Sequence, residues 1–217
     1  MAIKPILFNT DMVRAILDGR KTCTRRVVKP QWEECPHCKY VHNEYIYDKL
    51  AQNVYCARCG YPMEPERKAP YKPGDILYVR ETWGIYTESW LDADYFMYKA
   101  DYPANAATYT HQDGTICDLP RWRPSIHMPK EAARIWLKVT NVRVERLNEI
   151  TDKGAEREGA QPDYPFDYDV DKWPNLEHFK KIWNSTIKKS DIDRYGWDAN
   201  PYVFVIEFVK IDKPEVV

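Results

Sequence analysis

Two short motifs, "CPHC" at Cys35 and Cys38 and "CARC" at Cys56 and Cys59, constrain this chain more than any other feature. Seventeen residues separate them, within the spacer of roughly 15 to 20 at which two C-x2-C knuckles converge on one zinc ion. A two-residue gap lets both thiolates of a knuckle reach the same ion, and Lys39, Arg58 and Gly60 suit tight turns and donors near the sulfurs. A site closed by four sulfurs leaves no coordination position for water, so the expected zinc is structural. The alternative, two disulfides, needs an oxidising compartment. The opening "MAIKPILFNTD" argues against one, because its apolar run is short, broken by Pro5 and followed by Asp11. His37 and His42 remain open as substitutes for a cysteine ligand, and Cys23 and Cys117 are expected to be free thiols.

With 217 residues, 44% hydrophobic and 30% charged, the chain can bury a sizeable core. The expected organisation is one soluble domain over 1–217, with the zinc module inserted at 32–65 and a second insertion at 84–120. No stretch approaches the roughly 18 apolar residues of a membrane span, so a cytoplasmic protein without a membrane partner is expected. The formal net charge of -1 speaks against a basic domain that tracks long nucleic acid. Any positive site must therefore be local. Residues 1–30 hold seven Lys or Arg against two Asp, and the segment "ILDGRKTCTRR" gathers Arg20, Lys21, Arg25 and Arg26 around Thr22 and Thr24.

The remaining pattern is α+β. "KPILF" reads as a short strand. Asn9 and Thr10 can cap a helix with apolar positions Met12, Ala15 and Ile16, stopped by Gly19. "TRRVV" follows as a strand, and the turn Lys72-Pro73-Gly74-Asp75 launches "ILYVRETW" as another. "RIWLKVTNVRVERL" alternates as one long strand or a hairpin. Thr151 can cap a short helix over "TDKGAEREGA", "LEHFKKIWNSTI" has helical spacing, and "YVFVIEFVKI" is a closing strand. No strand runs into a glycine-rich phosphate turn, so a small barrel with flanking helices and inserted pieces is expected rather than a doubly wound sheet.

"GRKTCTRR" after an N-terminal helix, the strand introduced by "KPGD", the helix "TDKGAEREGA" and the closing "YVFVIEF" together resemble an ASCH domain. That fold is a small β-barrel related to the PUA domains of RNA-modifying systems. The likeness covers residues 1–30, 70–83 and 121–212, and zinc-bearing relatives are familiar from phage and prophage genomes. The resemblance implies recognition of RNA or nucleosides. Within the group, bacterial N4-acetylcytidine amidohydrolases are similar at "GRKTxT" and "AExE", which implies a catalytic set of Lys21, Thr24 and Glu158.

Amide hydrolysis without a metal needs a nucleophile, a base and an acid for the departing amine. Thr24 can attack, Lys21 can take its proton, and Glu158 can supply or relay one. Positions 21 and 24 point to opposite faces of a regular strand, so convergence requires Lys21 to lie in the turn after Gly19. Lys21 and Glu158 form one coupled site, charged or neutral, and only the neutral tautomer is primed. The same residues also suit a permanent ion pair lining a binding pocket. Arg20, Arg25 and Arg26 are candidates for substrate binding, with at most one of the last two on the face of Thr24. Trp83, Trp122 and Tyr202 can stack on a base or fill the core. Arg80 and Glu81 are weaker pocket candidates, while His111, His127 and His178 lack metal or triad spacing. Three functions remain open: a nucleoside amidohydrolase, a non-catalytic RNA-binding module, and a phage accessory protein whose zinc module docks a host protein.

Overall fold

The structure is a computed structural model that describes residues 2–29, 31, 34–40, 45–48, 53–63, 69–88, 93–110, 114–161 and 174–215. In chain order it forms β1 (Ile3–Leu7), α1 (Thr10–Leu17), β2 (Cys23–Val27), β3 (Tyr45–Asp48), β4 (Asn53–Cys56), β5 (Pro62–Met63), β6 (Ile76–Arg80), β7 (Trp83–Glu88) and β8 (Ala93–Tyr98). There follow β9 (Thr108–Thr110), β10 (Ile116–Asp118), β11 (Trp136–Arg146), α2 (Asp152–Arg157), α3 (Pro174–Thr186), α4 (Ile192–Tyr195) and β12 (Tyr202–Ile211). Among the described residues, no helix is long and apolar enough to cross a membrane.

The local signals in the sequence form as expected. Asn9 caps α1 by accepting a bond from the Met12 amide, and Gly19 stops the chain at a φ of +77°. Thr151 caps α2 through the Gly154 amide. The segment left open as strand or hairpin is one eleven-residue strand, β11. "ILYVRETW" divides instead: β6 ends at Arg80 and β7 begins at Trp83. The break falls on Glu81, which is only 1% exposed and whose amide faces the Met128 sulfur rather than a strand partner.

The expected barrel is the main correction. The fold is α+β, but among the described residues its five main strands form an open mixed sheet in the order β1-β6-β11-β12-β2. β1 takes β6 as a parallel neighbour, with Ile3 opposite Ile76, while β2 takes β12 antiparallel, with Thr24 opposite Ile206. Each end strand therefore has one neighbour, and the sheet does not close.

The chain comprises two compact units. One contains Met1–Gly19, Ile76–Leu137 and Lys210–Val217, and the other Arg20–Asp75 and Lys138–Val209. The first has a core around Ile76, Trp83, Met128 and Trp136, and carries the hairpins β7–β8 and β9–β10 in the expected second insertion. In the second, α2 and α3 bury Ala155, Phe179 and Trp183 against Cys23, Val203 and Val205. Each such large apolar side chain contributes about 1.5–3 kcal/mol. That packing fixes the face of β2 and β12 on which the charged site is built.

Candidate functional site

Lys21 lies between Gly19 and the start of β2 at Cys23, outside the strand, so strand alternation does not set its direction. Glu158 is the C-terminal cap of α2. The two segments are joined by the Thr22 amide, which donates to the Arg157 carbonyl at 2.9 Å. Lys21 Nζ then donates to the Glu158 carbonyl at 2.7 Å and to its Oε2 at 2.8 Å. The two side chains are 0% and 5% exposed. Lys21 thus serves as both ion partner and cation at the carbonyl end of α2, where the helix dipole favours positive charge.

Arg25 holds the other oxygen of Glu158. Its Nη1 donates to Oε1 at 3.1 Å, while its Nε and Nη2 donate to Glu145 Oε1 at 3.0 and 2.6 Å. Arg143 continues the chain of charge to Glu145 Oε2 at 3.0 Å and Glu207 Oε1 at 2.8 Å, and Arg157 reaches Glu207 at 3.3 Å. Among the described residues, Lys21, Arg25, Arg143 and Arg157 face Glu145, Glu158 and Glu207, one positive charge in excess. Burial opposes the charge on Arg25, but Glu158 and Glu145 outweigh it and raise its pKa. Burial also opposes ionisation of Glu207, and the Arg143 bond overcomes it to hold this carboxyl below its usual range. Burial first, and Glu158 second, push the Cys23 thiol up to about 12. Cys23 is therefore a neutral core thiol, not a nucleophile.

Thr24 is 2% exposed and sits opposite Ile206 in β12. Strand alternation sets it on the other face of β2 from Cys23 and Arg25. Its hydroxyl makes no hydrogen bond to Lys21 or Glu158, both of which are described. Arg20 donates to the Gly159 carbonyl at 3.3 Å, and Arg26 is half-buried opposite Phe204. Tyr202 is 2% exposed beneath the Arg146 guanidinium, 3.7 Å from the ring centre. Its aromatic face is therefore already engaged on that side.

Trp83, Trp122, Arg80 and Glu81 belong to the first unit. Trp83 is 4% exposed in the core, with Arg123 5.0 Å over its ring, and its indole N–H finds no acceptor among the described residues. Trp122 is half-buried beside Tyr102. Arg134 clamps Glu81 by two bonds of 3.0 Å, binds Asp101 at 2.8 Å and lies 4.0 Å over Tyr98. Burial raises the Glu81 pKa despite Arg134, and Arg80 donates to the Met128 carbonyl. His127 is exposed and His178 half-buried. His42 and His111 lie outside the described residues.

The four knuckle cysteines converge. Their sulfurs all lie within 4.8 Å of one another, with Cys35 to Cys59 and Cys38 to Cys56 each 3.7 Å apart. A tetrahedron with metal–sulfur bonds of about 2.3 Å has sulfur–sulfur edges of about 3.8 Å, so the set fits a four-coordinate ion. It does not fit disulfides, whose sulfurs stand about 2.05 Å apart. The Cys38 and Cys59 amides point at the sulfurs of Cys35 and Cys56 at 3.5 and 3.4 Å, the outer bonds such a site needs. His37 is not in this cluster; it stacks on Tyr61.

Glu145, Glu207, Arg143 and Arg157 escaped sequence reasoning. Their signal was present as a lone carboxylate in the apolar run "YVFVIEFV" and an Arg and a Glu two apart on one face of a strand. Comparison with family models, curated proteins and solved structures finds no match to this chain.

Proposed function

We propose that the chain is an ASCH-like protein that recognises a nucleoside or RNA and hydrolyses an N-acyl amide of cytidine type, with Lys21, Thr24 and Glu158 as its working set. The observation that carries this reading is the buried 2.8 Å contact of Lys21 with Glu158, made by residues 137 apart in sequence. Both come from the two blocks that resemble the amidohydrolases. In the neutral tautomer, Lys21 takes the Thr24 proton as Oγ1 bonds to the acyl carbon. Glu158 gives its proton to the departing amine as the carbon–nitrogen bond breaks; the resulting carboxylate then takes a proton from the water that attacks the acyl carbon, while Lys21 returns its proton to Thr24 Oγ1 as that ester bond breaks. Thr24 lies on the face of β2 away from Arg25, so the first step requires substrate binding to reorient the start of β2 until Oγ1 comes within hydrogen-bond reach of Nζ. The excess positive charge of the cluster favours electron-rich carbonyl groups on a base.

A second reading, recognition without chemistry, draws on the same cluster. Lys21 caps α2, and the two oxygens of Glu158 are bonded to Lys21 and Arg25. The four cysteines are assigned to a structural zinc ion, which closes the knuckles and supplies no reactive water. A phage accessory role, with the knuckles docking a host protein, would leave Lys21 without consequence.

The test is hydrolysis of N4-acetylcytidine by the zinc-loaded protein, read by chromatography, with Lys21→Ala, Thr24→Val and Glu158→Gln checked for fold and metal content. Turnover by wild type that falls at least about a hundredfold in each variant supports the enzyme. Absence of turnover in folded wild type, with retained binding of cytidine, leaves the site as a reader.

A further inference from the structure

The backbone bond between Thr22 and Arg157 joins more than the buried pair. Lys21 and Glu158 meet on its inner side, and their chain neighbours Thr22 and Arg157 meet as well. Arg157 Nε donates to Thr22 Oγ1 at 3.2 Å, and its Nη2 donates to Glu207 Oε1 at 3.3 Å. Arg143 reaches the same Glu207 oxygen through Nη1 at 2.8 Å, and Glu145 Oε2 through Nε at 3.0 Å. Asn141 Nδ2 donates to the other Glu207 oxygen at 3.4 Å. All of these residues belong to the second unit. Exposure divides the network. The side chains of Lys21 and Arg25 are 0% and 3% exposed, whereas those of Arg143 and Arg157 are 39% and 43% exposed. Of these four cations, only the last two can meet an anion from solvent. Each of them spends two of its three nitrogens. Among the described residues, Arg143 Nη2 and Arg157 Nη1 make no hydrogen bond, and the Thr22 hydroxyl, which accepts from Arg157, still has its proton to give.

One carboxylate oxygen therefore holds two guanidinium groups together against their mutual repulsion, and both keep a donor unused. We infer that this rim is a phosphate site, taking the monoester group of a nucleotide. Charge and shape both select that group. A phosphate monoester carries about -1.5 to -2 near neutral pH, enough to pair with both guanidinium groups at once. Its three outer oxygens can take three donors, two from arginine and one from a hydroxyl, where a carboxylate offers only two oxygens. Two cations are too few to track a polynucleotide backbone, in keeping with the net charge of -1. The choice of a nucleotide rests on the function proposed above. The phosphate site itself rests on Arg143, Arg157 and Thr22, and requires no chemistry from Lys21 or Glu158.

The test is calorimetric titration of the full-length, zinc-loaded protein with inorganic phosphate, cytidine 5′-monophosphate, cytidine, and dicytidine joined by a single diester. The monophosphate should bind about tenfold or more tighter than cytidine, and inorganic phosphate should compete with it. Dicytidine, whose one phosphate is a monoanion, should gain less over cytidine than the monophosphate does. Arg143→Gln and Arg157→Gln should each remove the tenfold gain and leave cytidine affinity unchanged. Arg143→Lys and Arg157→Lys, which keep the charge but lose the planar fork, should restore only part of it. Arg194→Gln removes an exposed cation elsewhere in the same unit and should bind the monophosphate as wild type does. Circular dichroism and metal content are checked on every variant. Competition by inorganic phosphate with no gain from the cytidine moiety would support the site and overturn the nucleoside reading. A wild type that binds neither inorganic phosphate nor the monophosphate better than cytidine would overturn the proposal. So would folded glutamine variants that keep the full gain, an equal loss in Arg194→Gln, or dicytidine bound as tightly as the monophosphate.

Discussion

Each unit buries a carboxylate against arginine, and the two do so in different ways. In the second unit, Glu158 lies between Lys21 and Arg25, whose side chains are 0% and 3% exposed. In the first, the Glu81 carboxylate is held, among the described residues, by Arg134 alone, and that arginine is 27% exposed and shared with Asp101. Among the described residues, cations outnumber acids in one network, and acids outnumber cations in the other. The cost of losing a buried charge depends on whether its former partner can reach water. Removal of the Glu158 carboxylate takes a charged partner from two buried cations that have no route to water, leaving Arg25 to Glu145 and Lys21 to the carbonyl of residue 158, whereas removal of Glu81 leaves Arg134 with Asp101, the Tyr98 ring and solvent.

The largest expected effect follows from that contrast. Glu158→Ala should lower unfolding free energy by about 3–5 kcal/mol, and Glu81→Ala by about 1–2 kcal/mol, both measured by urea denaturation of metal-loaded protein. Equal losses would erase the distinction. A finer cut is the double-mutant cycle of Lys21→Met with Glu158→Gln. The pair should show a coupling of about 1–3 kcal/mol, the double variant being less damaged than the two single losses added together.

Acid titration gives the two networks opposite signs. Glu207 has a folded pKa below its usual 4.5, so its contribution is present above 4.5 and lost as pH falls through the folded value. Glu81 is raised above 4.5, so its contribution is complete below 4.5 and lost as pH rises through the folded value. Stability measured between pH 3 and 7 should therefore fall less on acidification in Glu207→Gln than in wild type, and less on the rise from pH 4 in Glu81→Gln. Slopes of the same sign for both would contradict the contrast. The smallest effect belongs to Arg143→Ala. Its side chain is 39% exposed, so a loss under about 1 kcal/mol is expected, shrinking as salt is added. A larger loss would show that the network acts as a unit.

What the sequence revealed was mostly local. The spacing of Cys35, Cys38, Cys56 and Cys59 needs only two tight turns to become a cluster, and the caps Asn9 and Thr151 act within three residues. Lys21 and Glu158 were paired through a motif resemblance, since nothing in periodicity brings residues 137 apart together. The open sheet was missed because closure depends on which strands pair: the parallel β1–β6 partnership joins residues more than seventy positions apart, and no alternation pattern encodes it. The break at Glu81 was missed because a buried carboxylate in mid-strand makes sense only once Arg134 is beside it.

The complete burial of Lys21 Nζ also makes it a reporter. Amine-reactive reagents that modify surface lysines in seconds should pass over Lys21 in the folded protein, since its side chain is 0% exposed. Modification there must wait for the segment between Gly19 and β2 to part from α2, so the labelling rate of this one lysine, read by peptide mass, counts those openings. A substrate that has to approach Nζ through the same parting can turn over no faster than it occurs. At reagent concentrations high enough that labelling no longer speeds up, its rate equals the rate of opening, and that limiting rate is a ceiling on kcat along this route, obtained without knowing the substrate.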